Sequence, residues 1–78
     1  MNCIFVQARC RPGSAYEIAS QIANRELHSE LYSTSGDFDL IVKYYMPEGK
    51  DIGHFVNDAF KEIDAIEHTL TTLTFKAF

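Results

Sequence analysis

The spacing of apolar positions changes period along the chain, and each change marks an element. Residues 3–10, Cys-Ile-Phe-Val-Gln-Ala-Arg-Cys, are rich in β-formers and stop at Arg11-Pro12-Gly13, which predicts strand β1. Ser14 and Glu17 have the spacing of a capping box, in which hydroxyl and carboxylate each satisfy an orphan N–H of a first helical turn. Behind it Ala15, Ile18, Ala19, Ile22 and Ala23 fall on one helical face, helix α1. From Leu27 to Ser33 a weak alternation predicts a half-exposed strand β2, and Ser35-Gly36-Asp37 signals a tight turn. Phe38 to Met46 is almost continuously apolar, which predicts strand β3 with both faces covered. After the loop Pro47–Asp51, with Asp51 as N-cap, Ile52, Phe55, Val56, Ala59, Phe60 and Ile63 trace the cleanest amphipathic helix of the chain, α2. Asp64-Ala65 turns the chain, and the β-branched segment from Glu67 to Ala77 predicts strand β4.

The order βαββαβ is that of ferredoxin-like α+β domains. Right-handed crossovers then place both helices on one face of a four-stranded antiparallel sheet of order 4-1-3-2. The other face keeps Phe5, Ile41 and Tyr45, with Leu73 or Phe75 expected from β4. A half-apolar face on so small a domain calls for a cover, and a two-fold contact with a second copy is self-complementary. The expected assembly is a dimer of the α/β-barrel type, against the plainer reading that scattered exposed aromatics are ordinary.

Length and charge narrow the picture. Seventy-eight residues make one domain, 1–78, with a thin stability margin of its own. A net charge of −4 and scattered basic residues argue against direct nucleic-acid binding, which needs clustered Lys and Arg. No segment approaches the roughly 20 apolar residues of a membrane span, and the start has no signal-peptide pattern, so a cytoplasmic protein is expected. Cys3 and Cys10, seven residues apart on one strand, lie roughly 23 Å from each other and on opposite faces. They cannot pair within the monomer and read as small buried hydrophobes of a reduced compartment.

Enzyme chemistry finds little support. His28, His54 and His68 have no metal-ligand spacing, no Ser sits in a nucleophile elbow, and glycines 13, 36, 49 and 53 never cluster into a phosphate loop. No catalytic residue, metal or cofactor is expected. The turn Ser33–Asp39 offers N–H groups around Gly36, hydroxyls and two carboxylates, a set able to bind a zwitterion. The alternative is that Asp37 and Asp39 only close an Asx-type turn and that Thr69, Thr71, Thr72 and Thr74 are β-formers.

Three segments, in order, resemble the ligand-sensing (RAM) domain of Lrp/AsnC transcription regulators. They are Pro12-Gly13 before α1, Ser35-Gly36-Asp37-Phe38-Asp39 running into an apolar strand and Lys43, and Ala65-Ile66-Glu67-His68-Thr69-Leu70-Thr71. The family writes the second as Thr-Gly-x-x/Tyr-Asp before an apolar strand and Lys, and the third as Gly-Val-x-x-Thr-x-Thr. The resemblance runs from about Ile4 to Lys76. It implies a ferredoxin-like fold, dimers paired through their sheets, octameric or decameric rings, and a small effector, usually an amino acid, bound between dimers. Carried over by position, the implied ligand-binding residues are Ser35, Gly36, Asp37, Phe38, Asp39, Thr69 and Thr71. Ser35 stands where Thr is usual, and Ala65 replaces the common Gly, expected to be a minor change.

Full-length members also carry an N-terminal helix-turn-helix, and here β1 begins at once. The resemblance therefore implies a stand-alone sensor, co-assembling with a full-length Lrp/AsnC regulator or serving another partner, or else a piece of a longer regulator. Two competing readings share the topology. One is a cofactor-free dimeric barrel enzyme, monooxygenase- or isomerase-like, with Tyr44, Tyr45 and His28 as stand-ins for catalytic groups. The other is an ACT-type regulatory domain, which pairs side by side.

Overall fold

The structure, a computed structural model, describes residues 2–78. The elements are β1 (Asn2–Cys10), α1 (Ala15–Asn24), β2 (Glu30–Ser33), β3 (Leu40–Met46), α2 (Ile52–Phe60) and β4 (Ile66–Leu73). They form one sheet of order β2-β3-β1-β4, antiparallel at every contact. This is the ferredoxin-like arrangement expected from the periodicity.

The longest strand lies at the centre, and its alternation sets the layers. Ile4, Val6, Ala8 and Cys10 are buried, as are their β3 neighbours Leu40, Val42, Tyr44 and Met46. Ile18 and Ile22 of α1, Ala59 of α2 and Ile63 beyond it close over that face. Both helices therefore cover the same side. Tyr44 is clamped between Phe55 and Phe60, with ring centroids 5.6 and 6.1 Å away in edge-on geometry. Burial there pushes its phenol up to about 12, with the Arg25 charge opposing the shift.

The helix layer is clasped at one end. Arg25, which follows α1, donates from its guanidinium to the carbonyls of Asp58 at 3.2 Å, Ala59 at 2.9 Å and Lys61. These are carbonyls at the C-terminus of α2, where the helix has unsatisfied acceptors and a partial negative charge.

Several boundaries differ from the sequence expectation. Ser14 caps nothing with its side chain. Its hydroxyl donates to the Arg11 carbonyl at 2.5 Å, because a turn through Gly13, at φ +83°, already brings that oxygen close. Strand β2 is shorter than Leu27–Ser33, since Glu26 takes a left-handed conformation (φ 55°) and the chain reaches β3 only where Ser29 N–H donates to Lys43 O. Strand β4 ends at Leu73 instead of continuing to Ala77, β3 begins at Leu40, and α2 stops at Phe60. Asp51 caps α2 as expected, accepting from the His54 N–H at 2.9 Å. Among the described residues, the second face of β3 is only partly covered: Ile41 and Lys43 are half-buried and Tyr45 is exposed.

The parity of β4 also corrects an expectation. Leu73 pairs with Ile4 and so points to the helix side, whereas Leu70 pairs with Gln7 and takes the place on the open face. Ala65 likewise is no neutral replacement for Gly, because its φ is +72°, in the left-handed region that costs an L-residue roughly 1–2 kcal/mol.

This geometry makes two predictions about stability. Ala65→Gly is expected to raise the free energy of unfolding by about 0.5–1 kcal/mol, the relief of the left-handed strain exceeding glycine's extra chain entropy. Arg25→Ala is expected to lower it by about 1.5–3 kcal/mol, with Arg25→Lys restoring only part, because an ammonium cannot fork across three carbonyls. Urea unfolding followed by circular dichroism measures both.

Candidate functional site

The β2–β3 turn leaves the sheet at Thr34 and returns at Asp39. It is closed by Thr34 N–H donating to Asp39 O at 2.9 Å and by the Thr34 hydroxyl donating to Phe38 O at 3.0 Å. Gly36 sits at its apex with φ +96°, a conformation that favours glycine. Ser35, Gly36 and Asp37 are exposed. Their hydroxyl, N–H groups and carboxylate thus face outward from a loop fixed at both ends.

Phe38 fastens that loop to the open sheet face. Its ring stacks on His68 of β4, with centroids 6.0 Å apart and planes 24° from parallel, and the Arg9 guanidinium lies 5.7 Å over it. Arg9 Nε also donates to Asp37 O at 2.9 Å. Arg9 and His68 are register partners, so the three side chains form one cluster across β1, β4 and the turn.

Asp39 faces inward. Its Oδ2 accepts from the Cys10 N–H at 2.7 Å, and its own N–H donates to Ala8 O at 2.9 Å. The β1–β4 register shifts at Arg9/Cys10, so this carboxylate satisfies an amide at the irregularity of the central strand. Burial first, then the Asp39 and Glu67 carboxylates, push the Cys10 thiol up.

Of the expected site residues, the fold brings Ser35, Gly36, Asp37, Phe38 and Asp39 together in the turn. Thr69 and Thr71 are placed elsewhere. They pair with Ala8 and Val6 and so point to the helix side of the sheet. Thr71 lines a groove of about 350 Å³ with Ile52, Val56 and Leu73, and no turn residue borders it.

The open face has a polar knot of its own. Lys43 Nζ lies 3.2 Å from Glu30 Oε2, and Tyr32 Oη donates to Glu30 Oε1 at 2.7 Å. Tyr45 beside the ammonium and then Glu30 hold Lys43 charged beyond the ordinary lysine range, while Tyr32 and then Lys43 hold the Glu30 carboxyl below its own. Around the knot lie Cys3, Phe5, Ile41, Leu70 and Thr72, with a cavity of about 440 Å³ at the end where β1 begins.

Tyr44 and Tyr45 stand on opposite faces, one buried under the helices and one exposed, so they cannot share a cavity as catalytic partners. Among the described residues, no group of three His, Cys, Asp or Glu side chains is placed to hold a metal ion. The structural parts of Arg9, His68 and Glu30 were not visible in the sequence. Strand parity put Arg9 on the open face, but only the register with β4 pairs it with His68.

The Lrp/AsnC ligand-binding domain model matches residues 3–78. The HTH-type transcriptional regulator FL11 of Pyrococcus abyssi is 29% identical over 72 residues, which cover 92% of this chain and 47% of that protein. The chain spans about half the length of the curated relatives it matches. Among solved structures, TTHA0845 of Thermus thermophilus aligns at a TM-score of 0.88 and 26% identity, over 100% of this chain and 98% of the other. The fold also matches the transcriptional regulator NMB0573 of Neisseria meningitidis, solved as an L-Met complex, at a TM-score of 0.79 and 16% identity, over 96% of this chain and 50% of that one. With the ferredoxin-like topology, the match over all but the first two residues settles the kinship: the chain belongs to the Lrp/AsnC ligand-binding domain family.

Proposed function

We propose that this chain is a non-enzymatic, oligomeric sensing domain, residues 1–78, that takes a small zwitterion of the amino-acid class at the β2–β3 turn and modulates transcription through a partner. The observation that carries this reading is the turn itself: Ser35, Gly36 and Asp37 are exposed, and Arg9 and Phe38 hold them in place. An outward carboxylate suits an ammonium, and the N–H groups and hydroxyl around Gly36 suit a carboxylate. NMB0573, which shares the fold, was solved with L-Met.

Thr69 and Thr71 lie on the other side of the sheet, so a pocket using both them and the turn takes the turn from one copy and the strand from another. That requirement supports a ring built of dimers, octameric or decameric. The dimer pairs the open faces, where, among the described residues, Phe5 and Ile41 are only half-buried and Tyr45 and Leu70 are exposed. Relatives named as HTH-type regulators are about twice as long, which supports a DNA contact made outside residues 1–78, with a full-length regulator of the same family as one candidate partner. The setting is the cytoplasm.

The twenty amino acids, screened by thermal shift and native mass spectrometry, are expected to include at least one that raises the melting temperature and stays bound to the assembly. A flat response to all twenty refutes the amino-acid reading. For that ligand, Asp37→Asn should weaken binding about tenfold to hundredfold while shifting stability by less than about 0.5 kcal/mol. Asp39→Ala should cost about 1–3 kcal/mol of stability even without ligand, since it orphans the Cys10 N–H.

Sheet pairing is checked separately. Cys3, half-buried on the open face, should be alkylated more slowly as protein concentration rises through the dimerisation range, with buried Cys10 inert throughout. A Cys3 rate independent of concentration counts against pairing through this face.

A further inference from the structure

The apolar stripe of α2 is only partly used by the core. Phe55 and Phe60 hold the Tyr44 ring and Ala59 is buried, whereas Ile52 and Val56, one helical turn apart, stay half-buried beside β4. Across from them Thr71 is half-buried and Leu73 is 50% exposed, although both point to the helix side of the sheet. With Gly53 and Asn57 these residues line the groove of about 350 Å³.

The chemistry of the groove is one-sided. Its walls are Ile52 and Val56 on the helix and Leu73 on the strand, and none of its lining residues is ionisable. Its two polar side chains, Thr71 and Asn57, make no hydrogen bond among the described residues. Gly53 has an ordinary helical backbone, which alanine adopts at a smaller cost in chain entropy. A Cβ there would meet only Asp51 Oδ2, at 3.3 Å. The backbone does not require glycine, and the missing side chain leaves the groove wider.

We infer that this groove seats the side chain of the effector, which is therefore an amino acid with an apolar side chain no larger than that of phenylalanine. The inference rests on the zwitterion site proposed above and names the class of ligand it takes. In that site Asp37 of one copy meets the ammonium and the N–H groups around Gly36 meet the carboxylate, so both main-chain charges are matched at the turn. The side chain is left to the strand of the neighbouring copy, where Thr71 opens onto the groove. A charged side chain placed there loses water with no opposite charge among the lining residues, whereas an apolar one gains by burial. An apolar cavity of roughly 150 Å³ accepts benzene, so a groove of this size takes a phenyl ring and the atoms that join it to Cα.

The test is isothermal titration of the protein and of two variants, Asn57→Asp on the helix wall and Leu73→Asp on the strand wall. Valine, leucine, isoleucine, methionine and phenylalanine are set against aspartate, glutamate, lysine, arginine, asparagine and glutamine. In the unaltered protein an apolar member should bind at least about tenfold more tightly than any charged or amide one. At least one variant should cut that lead about tenfold or more, and Asn57→Asp, at an exposed position, should move the melting temperature without ligand by no more than about 3 °C. If an apolar amino acid leads and neither variant changes its lead, the groove is not its seat and the inference is overturned. A charged or amide leader overturns it too, and in both cases the zwitterion site at the turn survives. Binding of none of the panel removes that site and the inference with it.

Discussion

A four-stranded sheet has two faces, and a chain of 78 residues provides helices for one. The rest of this structure answers to that shortage. Strand β1 lies in the middle, so Ile4, Val6 and Ala8 have no exposure at all, while Cys3, Phe5, Gln7 and Arg9 look out from the same strand onto a face that the helices leave open. Burial on the helix side gives the domain its core, at a scale of roughly 25 cal/mol per Å² of apolar surface. Incomplete burial on the other side leaves apolar side chains such as Ile41 and Leu70 at the surface. Core and open face thus draw on alternate residues of one strand, and a slip of one residue in its register would exchange them.

How much of this could be read in the sequence depends on how local the cause is. The helices were legible because Ile18 with Ile22, and Phe55 with Ala59, recur at a period that only a helix turns into a face. Asp51 was legible because its carboxylate meets an amide three residues on. Ser14 has the same credentials and fails, since the turn at Gly13 puts a competing carbonyl within reach of its hydroxyl. The side on which Leu73 falls is decided by its pairing with Ile4, beyond a register shift at Arg9/Cys10. Nothing within β4 alone encodes that.

The site divides along the same line. Gly36 marked the turn, and its left-handed backbone agrees. The partners that steady the turn, Arg9 and His68, come from strands roughly thirty residues away in either direction. Likewise Thr69 and Thr71 are joined to the turn by the family resemblance alone, and strand parity turns their side chains to the far side of the sheet.

Asp39 carries the most general consequence. Its carboxylate is engaged with the backbone of the central strand before any ligand arrives. A related chain that responded to no effector would still be selected to keep this aspartate in order to fold. Among related sequences, then, an acidic residue here marks the architecture, and under the proposed function the exposed position two residues earlier is the better place to look for a change of ligand or its loss.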